Sequence, residues 1–188
     1  MKNLLLGAFL LGTITMIGSC NTKKGRGSET ENSTSEDSIS KGLVVTLEGV
    51  FPINDRFELF YGNNQNFDGK KMIRKAIYGE PILQKIIFEL PLSEKPEYLR
   101  IDLGSNPEQM IVSIKNIQVK YNDKNVFEGD NEKYLEFFPE NSSVVYKPKS
   151  LNFELKNNLE GSFDPILFSN DNLKKSLNKI YNEGNEKK

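Results

Sequence analysis

The chain has 188 residues, 25 Lys and Arg against 26 Asp and Glu, a net charge of −1, 37% hydrophobic residues, one cysteine, no histidine and no tryptophan. Charges so evenly matched give no reason for a nucleic-acid partner, and without histidine the commonest general base and the commonest metal ligand are missing. One cysteine permits no intramolecular disulfide, so an enzyme of this composition has to work with carboxylates, Lys, Tyr or Ser.

At the amino end, Lys2 supplies a short positive segment. An uncharged apolar run follows from Leu4 to Leu11 and continues through Ile14, Met16 and Ile17. Its length, about 14 residues, suits the apolar region of a signal peptide and is short for a bilayer-spanning helix, which needs roughly 20. The run ends in Ile17-Gly18-Ser19-Cys20, which resembles the lipobox of bacterial lipoproteins. The resemblance implies recognition of Ile17, Gly18 and Ser19 by a signal peptidase, cleavage before Cys20 and a diacylglyceryl group on the Cys20 thiol. Two or three acyl chains, usual for the class, anchor stably where one does not. Asn21 stands where an aspartate would favour retention in the inner membrane, so the expected location is the outer membrane of the cell envelope. With the thiol consumed, Ser-His-Asp and Cys-His catalysis and thiolate or imidazole zinc sites are all excluded.

Residues 1–19 thus read as a signal peptide and 20–41 as a lipidated tether. From Asn21 to Lys41 only Ile39 is bulky and apolar, too little buried surface to offset ordering. A coil of this length reaches roughly 25 Å. Within it Asp37-Ser38-Ile39 is similar to the short O-glycosylation motif of Bacteroidota extracytoplasmic proteins.

From Leu43 the apolar pattern turns to period two. Leu43, Val45 and Leu47 make the first strand; Phe57, Leu59 and Tyr61 a second; Ile73 to Tyr78 a third. Ile86, Phe88 and Leu90 follow, ended by Pro91, then Leu99, Ile101 and Leu103. Met110 to Tyr121 is a long strand whose phase shifts between Ile114 and Ile117, predicting a β-bulge near Lys115-Asn116. Leu151, Phe153 and Leu155 form another, with shorter pieces at Tyr134 to Phe138 and Val144 to Tyr146. Turn residues such as Gly62-Asn63-Asn64, Gly104-Ser105-Asn106-Pro107 and Asn122-Asp123-Lys124 fill the gaps. Many short strands so punctuated predict an all-β antiparallel sandwich over residues 42–170. Leu173, Leu177, Ile180 and Tyr181 then recur at helical spacing after Asn170 and Asp171 as candidate N-caps. This predicts a C-terminal helix and tail over residues 171–188, packed on the sandwich by its apolar stripe and fraying from Gly184.

The stretches Asp55 to Tyr61, Gln84 to Pro91, Leu99 to Gly104 and Ile111 to Ile117 look like the β-sandwich modules of Bacteroidota lipoproteins, which are also attached to some bacterial membrane glycosyltransferases. Those modules are similar to jelly-roll carbohydrate-binding domains. The resemblance implies a jelly-roll-like fold and a glycan or another envelope protein as partner, and it carries over no binding residue.

Candidate contacts come from the residues themselves. Arg100 and Asp102 share one strand face. Asp102 reads either as a ligand contact, to a sugar hydroxyl or calcium, or as an ion-pair member or carboxylate holding the turn through Gly104. The loop from Gly62 to Gly69 is rich in oxygen ligands of the kind calcium takes, though it holds one carboxylate, and a solvated hairpin loop is the plain alternative. Tyr61 and Tyr98 are candidate stacking residues among Phe60, Tyr78 and Tyr121. The expected function is a non-catalytic binding or interaction module. A carboxylate-based carbohydrate-active enzyme is the alternative; its acid pair would lie about 5 to 9.5 Å apart in space.

Overall fold

The computed structural model describes residues 42–183; the segment expected to be a signal peptide, with Ile17, Gly18 and Ser19, Cys20, the segment expected to be a tether to Lys41 and the residues from Gly184 lie outside them. Ten strands run in order: β1 Leu43–Phe51, β2 Asp55–Gly62, β3 Met72–Ile77, β4 Glu80–Glu89, β5 Tyr98–Asp102, β6 Ile111–Tyr121, β7 Lys124–Glu128, β8 Val144–Lys147, β9 Asn152–Leu155 and β10 Ile166–Phe168. One α-helix among the described residues, α1 Asp171–Glu183, follows.

The strands form two antiparallel sheets, as their period-two patterns predict. The larger has the order β4-β1-β6-β9-β8, with β7 also on β6; the smaller has the order β10-β5-β2-β3. The β2–β3 hairpin nests inside the β1–β4 pair, β5 and β6 then return beside β2 and β1, and β9 and β10 return beside β6 and β5. This nested winding between two sheets is jelly-roll-like. Alternation aims Val45, Leu47, Phe57, Leu59, Leu99 and Ile101 into the space between the sheets, where each is fully buried. Among the described residues the core runs from Leu43 to Tyr181.

The bulge lies where the pattern predicts it. Glu48 pairs with Asn116 and Gly49 with Ile114, skipping Lys115, so Ile114 and Ile117 both face the core. One short piece differs. Tyr134 to Phe138, expected as a strand, is a 3₁₀ turn over Lys133–Glu136. Tyr134 and Phe138 are both fully buried, and their four-residue spacing puts both on one side of a helical turn. The Tyr134 hydroxyl donates to the Ile114 carbonyl at 3.1 Å. Two strands are additional to those expected, β7 and β10. The two residues Asn122 and Asp123, with φ of 49° and 64°, turn β6 directly into β7, a backbone that favours Asn and Asp.

α1 is capped by Asn170, whose Oδ1 accepts from the N–H of Asn172 at 3.0 Å and of Leu173 at 3.4 Å. Its stripe of Leu173, Leu177, Ile180 and Tyr181 is buried on the sandwich. Tyr181 packs edge-on to Tyr121 and donates its hydroxyl to the Pro96 carbonyl at 3.0 Å. The helix therefore sits at the end of the sandwich that also carries the β2–β3 and β4–β5 loops. Among the described residues no helix is long and apolar enough to cross a membrane.

Candidate functional site

The outer face of the smaller sheet gathers most of the candidate residues. Register sets Ile166, Asp102, Glu58 and Arg74 in one row across the strands, and Phe168, Arg100, Phe60 and Met72 in the next. Tyr98 lies one row further toward the helix, opposite Gly62.

Arg100 and Asp102 form a bidentate pair within one strand: Nε donates to Oδ1 at 2.7 Å and a terminal guanidinium nitrogen to Oδ2 at 2.6 Å. The guanidinium also lies 4.5 Å from the centre of the Phe60 ring and 5.9 Å from that of Phe168. Phe60, on the outer face, is thereby largely covered. Burial pushes the Asp102 carboxyl above its usual range, against the opposing pull of Arg100.

The ion-pair reading of Asp102 thus holds, and its turn-holding role does not. The N–H groups of the Gly104 turn donate elsewhere, Ser105 to Asp55 Oδ1 at 3.0 Å and Asn106 to Asp55 Oδ2 at 3.1 Å. Asp55 opens β2 at the same end of the sheet, whereas Asp102 projects from the face, where Arg100 reaches it first. Gly104, with φ of 105°, lies so close to the Asp55 carboxylate that a Cβ would overlap it.

Tyr61 is not a surface contact either. It shares the inward phase of Phe57 and Leu59, and only 7% of it is exposed. Burial first, then nearby Glu94, raises its phenol pKa. Tyr78 is exposed at the β3–β4 turn, away from the other tyrosines of that set, and Tyr121 is occupied by Tyr181. No stacking platform arises from that set.

Tyr98 does face a recess. It is a shallow, open cleft lined by Asn63, Asn64, Gln65 and Asn66 of the β2–β3 loop, Tyr98 of β5, and Asp171 and Lys174 of α1. The Tyr98 hydroxyl donates to Asp171 Oδ1 at 2.8 Å, and that bond holds its phenol above the ordinary range. Lys174 Nζ lies 5.1 Å from the centre of the Tyr98 ring and 2.9 Å from Glu97 Oε2. Asn64 Oδ1 accepts the Asn66 N–H at 2.9 Å, and Asp68 Oδ1 accepts the Lys70 N–H at 3.0 Å. The loop is thus shaped by its own side chains, and the Asp68 carboxylate takes a backbone donor. Among the described residues no group of three His, Cys, Asp or Glu side chains converges as a metal site.

Phe168, Asp171 and Lys174 escaped the sequence reading as site residues. Asp171 and Lys174 were legible as helix residues, but nothing local says that the first turn of α1 meets a loop more than 100 residues earlier. No protein-family model, curated protein or solved structure matches this chain.

Proposed function

We propose that this chain is a lipid-anchored lipoprotein of the cell envelope, held in the outer membrane through Cys20, which presents a non-catalytic β-sandwich module that binds glycans in the cleft beside Tyr98. The observation that carries the binding reading is the lining of that surface: four side-chain amides, one tyrosine ring, the Asp171 carboxylate and the Lys174 ammonium beside one another. Amides offer donors and acceptors together, which matches neighbouring sugar hydroxyls, and the negative face of an aromatic ring suits the C–H groups on the apolar face of a sugar ring.

A non-catalytic role is favoured by the state of the carboxylates. Asp102 is the carboxyl pushed upward in pKa among the described residues, and both its oxygens are held by Arg100. A general acid has to be free to give up its proton to a leaving group. The resemblance read in the Asp55 to Ile117 region implies a glycan or another envelope protein as partner, and the polar lining beside Tyr98 favours the glycan.

A glycan array probed with residues 21–188 tests the binding reading. Tyr98→Ala and Asn63→Ala should each abolish the signal of any glycan bound, while the fold survives. An array on which no glycan binds, or binding untouched by both variants, overturns it. The anchor is tested separately: Cys20→Ala should stop incorporation of labelled palmitate, and label entering that variant refutes the lipobox reading.

A further inference from the structure

Five of the ten exposed large apolar side chains found among the described residues lie between Tyr78 and Leu92, on and beside β4. β4 is also the terminal strand of the larger sheet. Such an edge presents unpaired backbone groups, and natural edges are usually short or broken. This one is ten residues long.

The hydrogen bonding fixes which groups are open. Leu90 N–H donates to the Leu43 carbonyl at 2.9 Å, and the same register sets Phe88 opposite Val45 and Ile86 opposite Leu47. Alternation along an antiparallel strand then turns the N–H and C=O groups of Leu83, Lys85, Ile87 and Glu89 to the unpaired side. Pro81 and Pro91, on the same phase, lack an N–H and bound the usable edge. The side chains of these four residues stand on the outer sheet face. Leu83 is 61% exposed and Ile87 39%.

The geometry points to a second copy of this chain as the occupant of that edge, paired β4 to β4 in antiparallel register about Ile87. A two-fold axis through the sheet at Ile87 sets Ile87 against its counterpart and Lys85 against Glu89, twice by symmetry. On the inner face it sets Ile86 against Phe88. The sequence Leu83-Gln84-Lys85-Ile86-Ile87-Phe88-Glu89-Leu90-Pro91 is self-complementary about that point: apolar, basic, apolar, acidic, apolar along the outer face. Neighbouring registers fail. Centring on Lys85 opposes two lysines, and like charges directly opposite destabilise. Centring on Ile86 sets Lys85 against Ile87 and Glu89 against Leu83, leaving both charges beside apolar groups. Among the described residues Glu89 has no ion-pair partner within its own copy, while Lys85 reaches Glu48 at 3.1 Å from an exposed position and can turn to the new strand.

The test is sedimentation velocity across a concentration series on residues 21–188, which retain every core side chain found among the described residues. Wild type should pass from monomer to dimer as concentration rises. Glu89→Lys should weaken the dimer by roughly tenfold, since two symmetry-related pairs turn repulsive. The double variant Lys85→Glu/Glu89→Lys should recover the loss, with melting curves showing each variant folded. Because residues 21–188 contain no cysteine, Ile87→Cys should yield a single symmetric disulfide-linked dimer on mild oxidation. A chain monomeric at every concentration overturns the proposal. So does a dimer that neither charge variant affects, which would belong to another surface.

Discussion

At the scale of single residues, two aspartates that look alike in sequence do different work. Asp55 accepts N–H donors from Arg56, Ser105 and Asn106, so Asp55→Ala should cost about 1 to 3 kcal/mol by leaving turn donors unpaired. Thermal or urea unfolding measures it. Asp55→Asn, which keeps an accepting oxygen, should cost less. Asp102 instead acts through Arg100, and a double-mutant cycle between these two should return a coupling of about 0.5 to 3 kcal/mol. A cycle between Asp55 and Arg100 should return close to none. Leu151 is a third case. It stands at φ 54° in the hairpin between β8 and β9, a left-handed backbone that side chains of this size disfavour. At 42% exposure, it has less packing to lose on truncation than a core leucine. Leu151→Gly should raise stability by about 0.5 to 1 kcal/mol, the strain relieved outweighing the added freedom of the unfolded chain. An unchanged or lower urea midpoint would show that the Leu151 side chain contributes more than its backbone costs.

At the scale of elements, α1 is fixed by its cap, its buried stripe and a polar clamp to the strand below. The clamp has a pH signature. Glu97 is held below its usual value of 4.5 chiefly by the hydrogen bond from Lys174, with Asn178 adding to it. A carboxyl whose folded pKa is depressed contributes stability that is present above its unfolded pKa and lost as pH falls through the folded one. Acidification below 4.5 should therefore loosen the helix clamp. The Glu97 carboxyl resonance, followed by NMR, should titrate below the ordinary glutamate range and return to it in Lys174→Ala. The cap itself is tested by Asn170→Ala, which should lower stability by about 1 kcal/mol. Because Asn170 Nδ2 also donates to the Glu136 carbonyl at 2.9 Å, the same change should disturb the 3₁₀ turn.

At the scale of the whole molecule, the sandwich brings together three segments far apart in the chain to make one cleft: the β2–β3 loop, the start of β5 and the first turn of α1. A ligand there would tie the helix to the sheet. Any glycan that binds should therefore raise the melting temperature and slow amide exchange in α1 as well as in the loop. The composition makes a complementary forecast. With no histidine, and no cysteine in residues 21–188, zinc should leave the melting curve of that chain unmoved, and a large zinc-dependent shift would contradict the ligand chemistry.

Period two was enough to find most strands from β1 to β6 and to say which side chains of each point inward, because a strand's two faces alternate whatever its neighbours are. The phase break at Lys115 likewise located the bulge, and the stripe from Leu173 to Tyr181 located the helix and the face it buries. The inward phase of Phe57 and Leu59 already contained the answer for Tyr61. The lipobox-like Ile17-Gly18-Ser19-Cys20 is a local signal and remains a matter of sequence. The tertiary structure alone decided the rest. Asp55, rather than Asp102, meets the Gly104 turn because β2 pairs with β5 in a register that sets Glu58 opposite Asp102. Tyr98 faces a cleft because α1 packs back onto that end of the sheet and brings Asp171 to its hydroxyl. Strand order and register are settled by contacts between residues distant in the chain, and a local pattern records which face a side chain takes but not what stands opposite it.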